Sequence, residues 1–376
     1  MIFRYTPFLV LFLMSAKVWA YPQFIRHEYA ACATCHVSPR GGGILTDYGQ
    51  GIAGSMSLFS EDYQGPPTSS FYKAVTANGH LTHGFQFRLM QVRKENRMPS
   101  TFPMQMDYLN VAQITKPLRL ETTLGVFVRR NGQGAVALDP GLFNRLVLRK
   151  ALFAYRYEEE AEFSAGRDFL PIGLNLDDHT LFVKAKNRRG VLDYATQARW
   201  DSWKNDWHLT PFIFAPSMEE SALNREWGLG GRAERSLTKR FTVGGTALAG
   251  RSSAIARELF DVFTRYSPVT AFAVLAEYDY TLRQSVISGG NPQFTQHTAY
   301  LRPSVELQEW LELAWVGEFE TRESPFYEKN WKTGPSLYAR LQRLVTLIVD
   351  ARETWNTSTS TNAKEELLTA QLFGHF

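Results

Sequence analysis

Three residues near the N-terminus carry the chemistry of this chain. Cys32 and Cys35 are its only cysteines, and His36 follows directly in the stretch AACATCHVSPRGGG, residues 31–44. A Cys-x-x-Cys-His run admits three chemistries. Structural zinc asks for four ligands, usually paired Cys-x-x-Cys units or one unit plus two histidines. Only one such pair is present, and His80 and His83, which might complete a set, fall on an apparent strand. A thioredoxin-like dithiol asks for a βαβ context, and none is visible. The third chemistry is covalent haem c. Each thiol adds to one vinyl group of the porphyrin, and the adjacent imidazole meets the iron as proximal ligand. This reading uses both cysteines and leaves none over, so we expect one haem c held by Cys32, Cys35 and His36. The sixth iron ligand has no decisive spacing. His27, Met56, His80 and His83 are the nearest candidates, and Met90, Met98, Met104 and Met106 are further off. No catalytic side chain of the hydrolytic type stands out.

The thiols sit in an exported protein. Residues 1–20 read as a signal peptide, with Arg4 as the basic start, FLVLFLM (8–14) as the apolar stretch and Val18-Trp19-Ala20 before the cleavage point. That apolar run is too short for a bilayer core of about 30 Å, which takes about 20 residues of helix. Residues 21–59 form the haem c segment and 60–79 a linker around SEDYQGPPTSS. Ile44, Leu45, Tyr48 and Ile52 recur at helical spacing despite Gly49, Gly51 and Gly54. A segment this short cannot wrap a porphyrin alone. It needs a wall from elsewhere, and Gly41-Gly42-Gly43 allows the chain to turn against one.

Residues 80–376 supply that wall. Their pattern has period two. Leu118, Leu120, Leu124, Val126 and Val128 share a face opposite Arg119, Glu121, Thr123 and Arg129. Leu192, Tyr194, Ala198 and Trp200 oppose Asp193, Gln197, Arg199 and Asp201, and the same holds around Glu277 and Asp279 and around Asp350 and Arg352. About sixteen such segments follow one another, with short connections alternating with long ones. The least certain stretch lies between 168 and 201, which can hide a strand or a folded-in loop. The chain ends on Phe376 in an alternating strand, and aromatics make up 14% of residues. These features predict an all-β protein: a transmembrane antiparallel β-barrel of about 16 strands in a bacterial outer membrane, plugged by the haem segment, with both termini periplasmic. Pro303 inside a strand predicts a bulge there. Asp177-Asp178-His179 reads as an exposed loop tip rather than a metal site. The net charge of +4 gives no reason to expect a nucleic-acid partner.

Residues Phe24-Ile25-Arg26, Cys32-Ala33-Thr34-Cys35-His36, Pro39 and Leu45-Thr46-Asp47-Tyr48-Gly49, followed by a barrel, resemble the fused monohaem cytochrome–porin proteins of Gram-negative outer membranes, a group that includes iron oxidases. The resemblance implies electron transfer across the outer membrane, between an extracellular donor such as ferrous iron and a periplasmic cytochrome or other carrier. Ferrous iron oxidation would make the protein an oxidoreductase. Two other readings stand beside it: a solute-conducting porin with a structural or gating haem segment, and outward electron flow to an external acceptor. Lumen charges of both signs name no selective solute.

Overall fold

The computed structural model describes residues 22–29, 31–59, 81–95, 97–126, 146–176, 178, 180–187, 194–216, 225–286, 293–323, 327–342, 345–358 and 362–375. The expected signal peptide (1–20), the expected linker (60–79) and His80 lie outside the described residues.

Sixteen strands close into one antiparallel barrel. They are β1 (Leu81–Lys94), β2 (Ser100–Gln113), β3 (Leu118–Val126), β4 (Leu146–Glu158), β5 (Ala161–Phe169), β6 (Tyr194–Ser202), β7 (Trp207–Ala215) and β8 (Trp227–Thr238). The second half comprises β9 (Phe241–Arg251), β10 (Ile255–Val269), β11 (Phe272–Ser285), β12 (Phe294–Gln308), β13 (Leu311–Glu323), β14 (Glu328–Gln342), β15 (Val345–Ser358) and β16 (Asn362–His375). Every strand pairs with its sequence neighbours, and β1 pairs with β16 (Phe87↔Gly374, Leu89↔Leu372), so no edge stays open.

One end of the barrel carries tight turns such as 159–160, 239–240, 270–271 and 309–310. Register shifts sit just before several of them, at Arg156/Glu158, Ser236/Thr238, Tyr266/Val269, Glu306/Gln308 and Arg340/Gln342, which is where a bulge lets a twisted pair close tightly. The turn after β6 uses Asn205 and Asp206, both at positive φ (51° and 64°), the backbone a tight hairpin demands. The opposite end carries the longer connections. Residues 252–254 are the exception there, closed by Ser252, whose Oγ accepts from the Ala254 and Ile255 N–H groups at 3.2 and 3.0 Å. Both β1 and β16 meet the short-turn end, so the barrel begins and finishes there.

Pro303 makes no bulge. The ladder keeps one register across it, from Leu301↔Gly317 to Ser304↔Ala314, and the shift comes later, beside the turn. Its outward-facing ring stays in line because the missing N–H costs one ladder bond, not the register.

Alternation sorts the two faces. Outward side chains are large, apolar and exposed: Leu148, Phe153, Ile213, Leu229, Phe260, Val262, Leu301 and Trp315 among them. So continuous an apolar belt fits a hydrocarbon surrounding. Inward positions carry Arg119, Glu121, Arg199, Asp201, Glu277, Asp279 and Arg352, all buried, as the period-two pattern requires. Arg129 and Asp193 lie outside the described residues. Tyr194 departs from its expected outer position. It is buried, and its hydroxyl accepts from Arg149 Nη1 at 3.2 Å.

Those inward residues are buried because chain fills the lumen. The connection between β5 and β6 folds inside instead of adding a strand, and it carries α2 (Phe182–Ala185). Leu174, Leu176, Leu181 and Val183 pack against Phe263, Leu275, Tyr300 and Val316 of the wall. Ile172 packs against Phe212, Phe214, Leu248 and Leu259. The wall meets the peptide backbone with carboxylates: Gly173 N–H donates to Asp261 at 3.0 Å, Leu174 N–H to Glu277 at 2.8 Å and Phe182 N–H to Glu318 at 2.7 Å. Asp178, expected at an exposed tip, instead lies 4.0 Å from Arg352. Asp177 and His179 lie outside the described residues. No helix among the described residues is long and apolar enough to cross a membrane.

Candidate functional site

The N-terminal segment occupies the short-turn mouth. A 3-10 helix, Pro22–His27, packs on β10 and β11. Its anchor is Arg26, fully buried, whose Nη1 donates to Glu306 at 2.8 Å while Nη2 donates to Ser304 Oγ at 2.5 Å and Glu312 at 3.2 Å. A guanidinium in a water-poor lumen is held only if its charge and its N–H fork are met, and two carboxylates with a hydroxyl meet them. Glu28 reaches the 239–240 turn, 3.0 Å from Lys239. At the far end of the segment, Leu58 N–H donates to Arg340 O at 2.9 Å.

Between these anchors lies the Cys-x-x-Cys-His turn. Cys32–Thr34 is a 3-10 turn in which Cys35 and His36 N–H both donate to Cys32 O, at 3.2 and 3.0 Å. The two thiols are not joined in a disulfide. His36 bridges Leu45, and Val37 N–H donates to Ile44 O at 3.1 Å, so residues 36–45 double back as a small hairpin. Its bend is Gly41-Gly42-Gly43, at φ 76°, 74° and 66°, a left-handed run that side-chain-bearing residues resist. The bend returns onto the motif in two ways. A Cβ at Gly41 would lie 3.3 Å from Cys32 Cβ and 3.4 Å from its sulfur. Gly42 O takes a hydrogen bond from His36 Nδ1 at 3.1 Å.

The residues after the bend lock the same turn from below. Thr46 caps α1 (Asp47–Ser55): its hydroxyl accepts from Gly49 N–H at 3.1 Å and donates to Cys35 O at 3.3 Å. Thr46 N–H also donates to Cys35 O, at 2.9 Å. Gly49 then lies so close that a Cβ would stand 2.2 Å from Cys35 O. The Tyr48 and Tyr29 hydroxyls share a hydrogen bond of 2.5 Å, which pushes Tyr29 up to about 12. Ile44 packs with Leu109 and Val111 on β2. On the opposite side Cys32 faces Arg265, Arg232 and Glu234 of β8 and β10, and also Arg40. Burial pushes the Cys32 thiol up against the pull of those guanidiniums, and burial likewise raises Cys35.

The residues present fit a covalent haem c. Two separate thiols sit one turn apart, with the histidine next in line. A backbone carbonyl holds the His36 Nδ1–H, the tautomer that leaves Nε2 as the coordinating nitrogen. Among the described residues no three His, Cys, Asp or Glu side chains are set to share a metal ion, whereas a haem iron asks the motif for one imidazole only.

The candidates for the sixth position separate. His83 points outward from β1, where it stacks on Tyr108 with ring centroids 5.4 Å apart and meets Asn110 at 3.0 Å. That places it on the far side of the wall from the motif. His27 and Met56 are both buried in the segment itself. Burial lowers the His27 pKa, against the pull of Glu306 at 3.7 Å, so its imidazole is neutral at pH 7. His80 lies outside the described residues.

Around the motif the lumen wall is a connected charge array. Arg119 forks onto Glu162 at 2.5 and 2.8 Å and reaches Glu121 at 2.8 Å. Lys150 meets Glu121 at 2.6 Å, and Arg199 spans Asp168 at 2.9 Å and Asp201 at 3.1 Å. Further round, Arg352 pairs with Glu318 at 2.8 Å and Asp350 at 2.9 Å. A small cavity of about 60 Å³ lies on that side, lined by Tyr300, Arg302, Tyr338, Asp350, Arg352 and Phe373 with Leu176 and Leu181 of the folded-in loop. Spacing alone revealed Cys32, Cys35 and His36. It did not reveal Arg26, Arg40, Thr46 or Gly49 as the residues that seat them, although all but Arg40 fall within the recurring 24–49 motif residues. Asn175, whose Nδ2 donates to Arg40 O at 3.0 Å, left no signal beyond lying in a long connection.

A closed, fully antiparallel 16-stranded barrel with an apolar exterior and a charged, filled lumen is the architecture of outer-membrane porins. Solved structures agree. The outer membrane protein OmpT of Vibrio cholerae, as a loop L8 deletion mutant, superposes with a TM-score of 0.60 at 10% identity, over 79% of this chain and 99% of that one. The anion-selective porin from Comamonas acidovorans gives 0.57 at 8% identity, over 79% and 99%. The outer membrane channel DcaP of Acinetobacter baumannii gives 0.56 at 9% identity, over 79% and 97%. At these identities the likeness is one of fold. No family model and no curated protein matches the sequence.

Proposed function

We propose that this chain is an outer-membrane barrel of porin type whose periplasmic mouth is plugged by a haem c segment, making it a conduit for electrons. In this orientation the short turns and both termini face the periplasm. One observation carries the reading: Cys32, Cys35 and His36 are seated inside the mouth by wall, bend and helix together, with the His36 ring held through Nδ1. Bound there, haem c supplies one-electron redox chemistry within a layer about 30 Å thick that protein alone bridges poorly. The chain's own residues attach it, orient His36 and screen the site with paired charges. The donor is an external reductant, with ferrous iron as first candidate, and the acceptor a periplasmic cytochrome or similar carrier.

The fold likeness to porins and channels supports a second reading, a solute porin in which the segment narrows or gates the lumen. Two measurements separate them. Protein matured with the c-type assembly apparatus should show a haem c spectrum that ferrous iron reduces, and should seal a planar bilayer. The spectrum should vanish in Cys32→Ala/Cys35→Ala protein. An open, ion-conducting pore whose conductance is indifferent to those substitutions, in protein without haem, would sink the conduit.

A further inference from the structure

The wall that completes the motif is not strand alone. Residues 170–176 are strapped to β9, β10 and β11 by the Gly173 and Leu174 N–H bonds to Asp261, Thr246 and Glu277. Within 171–176 every side chain is buried except Asn175, which is exposed. It turns toward the N-terminal segment, where its Nδ2 donates to Arg40 O at 3.0 Å. Arg40 answers by donating to Phe169 O at 3.3 Å and Leu170 O at 3.4 Å. The same amide lies beside the glycine bend, 3.6 and 3.5 Å from where Cβ atoms of Gly41 and Gly42 would be. Gly42 O is the acceptor that holds His36 Nδ1. Asn175 and His36 therefore both meet one short turn, and Cys32 packs against its first glycine.

Resting on the haem c reading above, we propose that Asn175 is a positioning residue for the haem, and that the folded-in loop is the part of the barrel which sets how the haem meets water. The loop is anchored to the barrel wall by its own backbone, and the Arg40–Gly42 side of the bend meets that loop through Arg40 and Asn175. Losing the Asn175 amide loosens the bend, and with it the carbonyl that orients His36. Asn175 and Gly42 are exposed, and Cys32 and His36 are half-buried. A loosened bend admits water there. Water stabilises the more positive ferric state, so the midpoint potential falls.

The experiment uses full-length protein matured with the c-type assembly apparatus. Asn175→Ala removes the amide, Asn175→Asp keeps its shape without the donor, and Asn175→Gln restores a donor. Barrel folding is checked for each by heat-modifiable mobility. All should keep covalent haem, since both thiols remain. In the first two the ferric-to-ferrous ratio at a fixed ambient potential should rise about tenfold, a midpoint lower by about 59 mV for one electron, with broadened ferric resonance lines from a freer His36. Asn175→Gln should recover part of both. Wild-type midpoint and line shape in Asn175→Asp and Asn175→Ala, with haem present, would overturn the proposal and leave the conduit standing. Wild-type protein without haem would overturn the conduit, and this role with it.

Discussion

At the residue scale the site depends on absent side chains as much as on present ones. Gly49 and Gly51 are neighbours on α1 yet opposite in consequence. A methyl at Gly49 would collide with Cys35 O, a backbone atom held by two hydrogen bonds from Thr46, whereas nothing lies within 4 Å at Gly51. We expect Gly49→Ala to cost about 1–3 kcal/mol through forced backbone shifts and to lower haem incorporation. Gly51→Ala should stabilise the helix by about 0.5–1 kcal/mol. Parallel haem yields and melting curves of the two variants check this, and equal behaviour would refute the packing described. Both glycines look alike in sequence; only the return of the chain over Cys35 tells them apart.

Among the elements, the 3-10 helix 22–27 is the piece most exposed to a single change. Arg26→Ala strands Glu306 beside Glu312, and breaking a buried ion pair from one side costs about 3–5 kcal/mol. Limited proteolysis should then cut near residues 22–31 while the barrel stays intact. Acid should act in the same direction. The His27 pKa is lowered in the folded state, so the unfolded segment takes up a proton first as pH falls. The docking that neutral His27 supports is complete above the ordinary histidine value of 6.5 and lost as pH drops through and below it. Protection of the segment from protease should hold above pH 6.5 and decline as pH falls below it, and His27→Gln should flatten that decline. A decline of equal size in His27→Gln would assign it to another group. The folded-in connection after β5 is the element that pattern reading left open. Its apolar residues fit a strand or a plug equally well, and the choice depends on Phe263, Leu275 and Tyr300 standing ready across the lumen.

For the whole molecule, lipid is the expected solvent of the outer face. Val262 stands midway along β10, 61% exposed and pointing outward. Val262→Arg should cost about 2–4 kcal/mol for folding into vesicles, the midplane value for such a substitution. The same change at a position near a barrel rim, such as Trp227, should cost about 0–1 kcal/mol. Equal costs at both depths would mean that no bilayer surrounds the belt. Strand number, face assignment and the rhythm of short and long connections were legible in the chain because they are local. Side chains alternate every two residues whatever lies across the barrel, and a Cys-x-x-Cys-His spacing needs five residues to be read. Arg26 with Glu306, Asn175 with Arg40, and the outward turn of His83 were not legible. The first two contacts join residues more than a hundred positions apart, and the third depends on which face of β1 closes against the lumen. Closure of the barrel brings those partners together, and only then does a lumen exist to be filled.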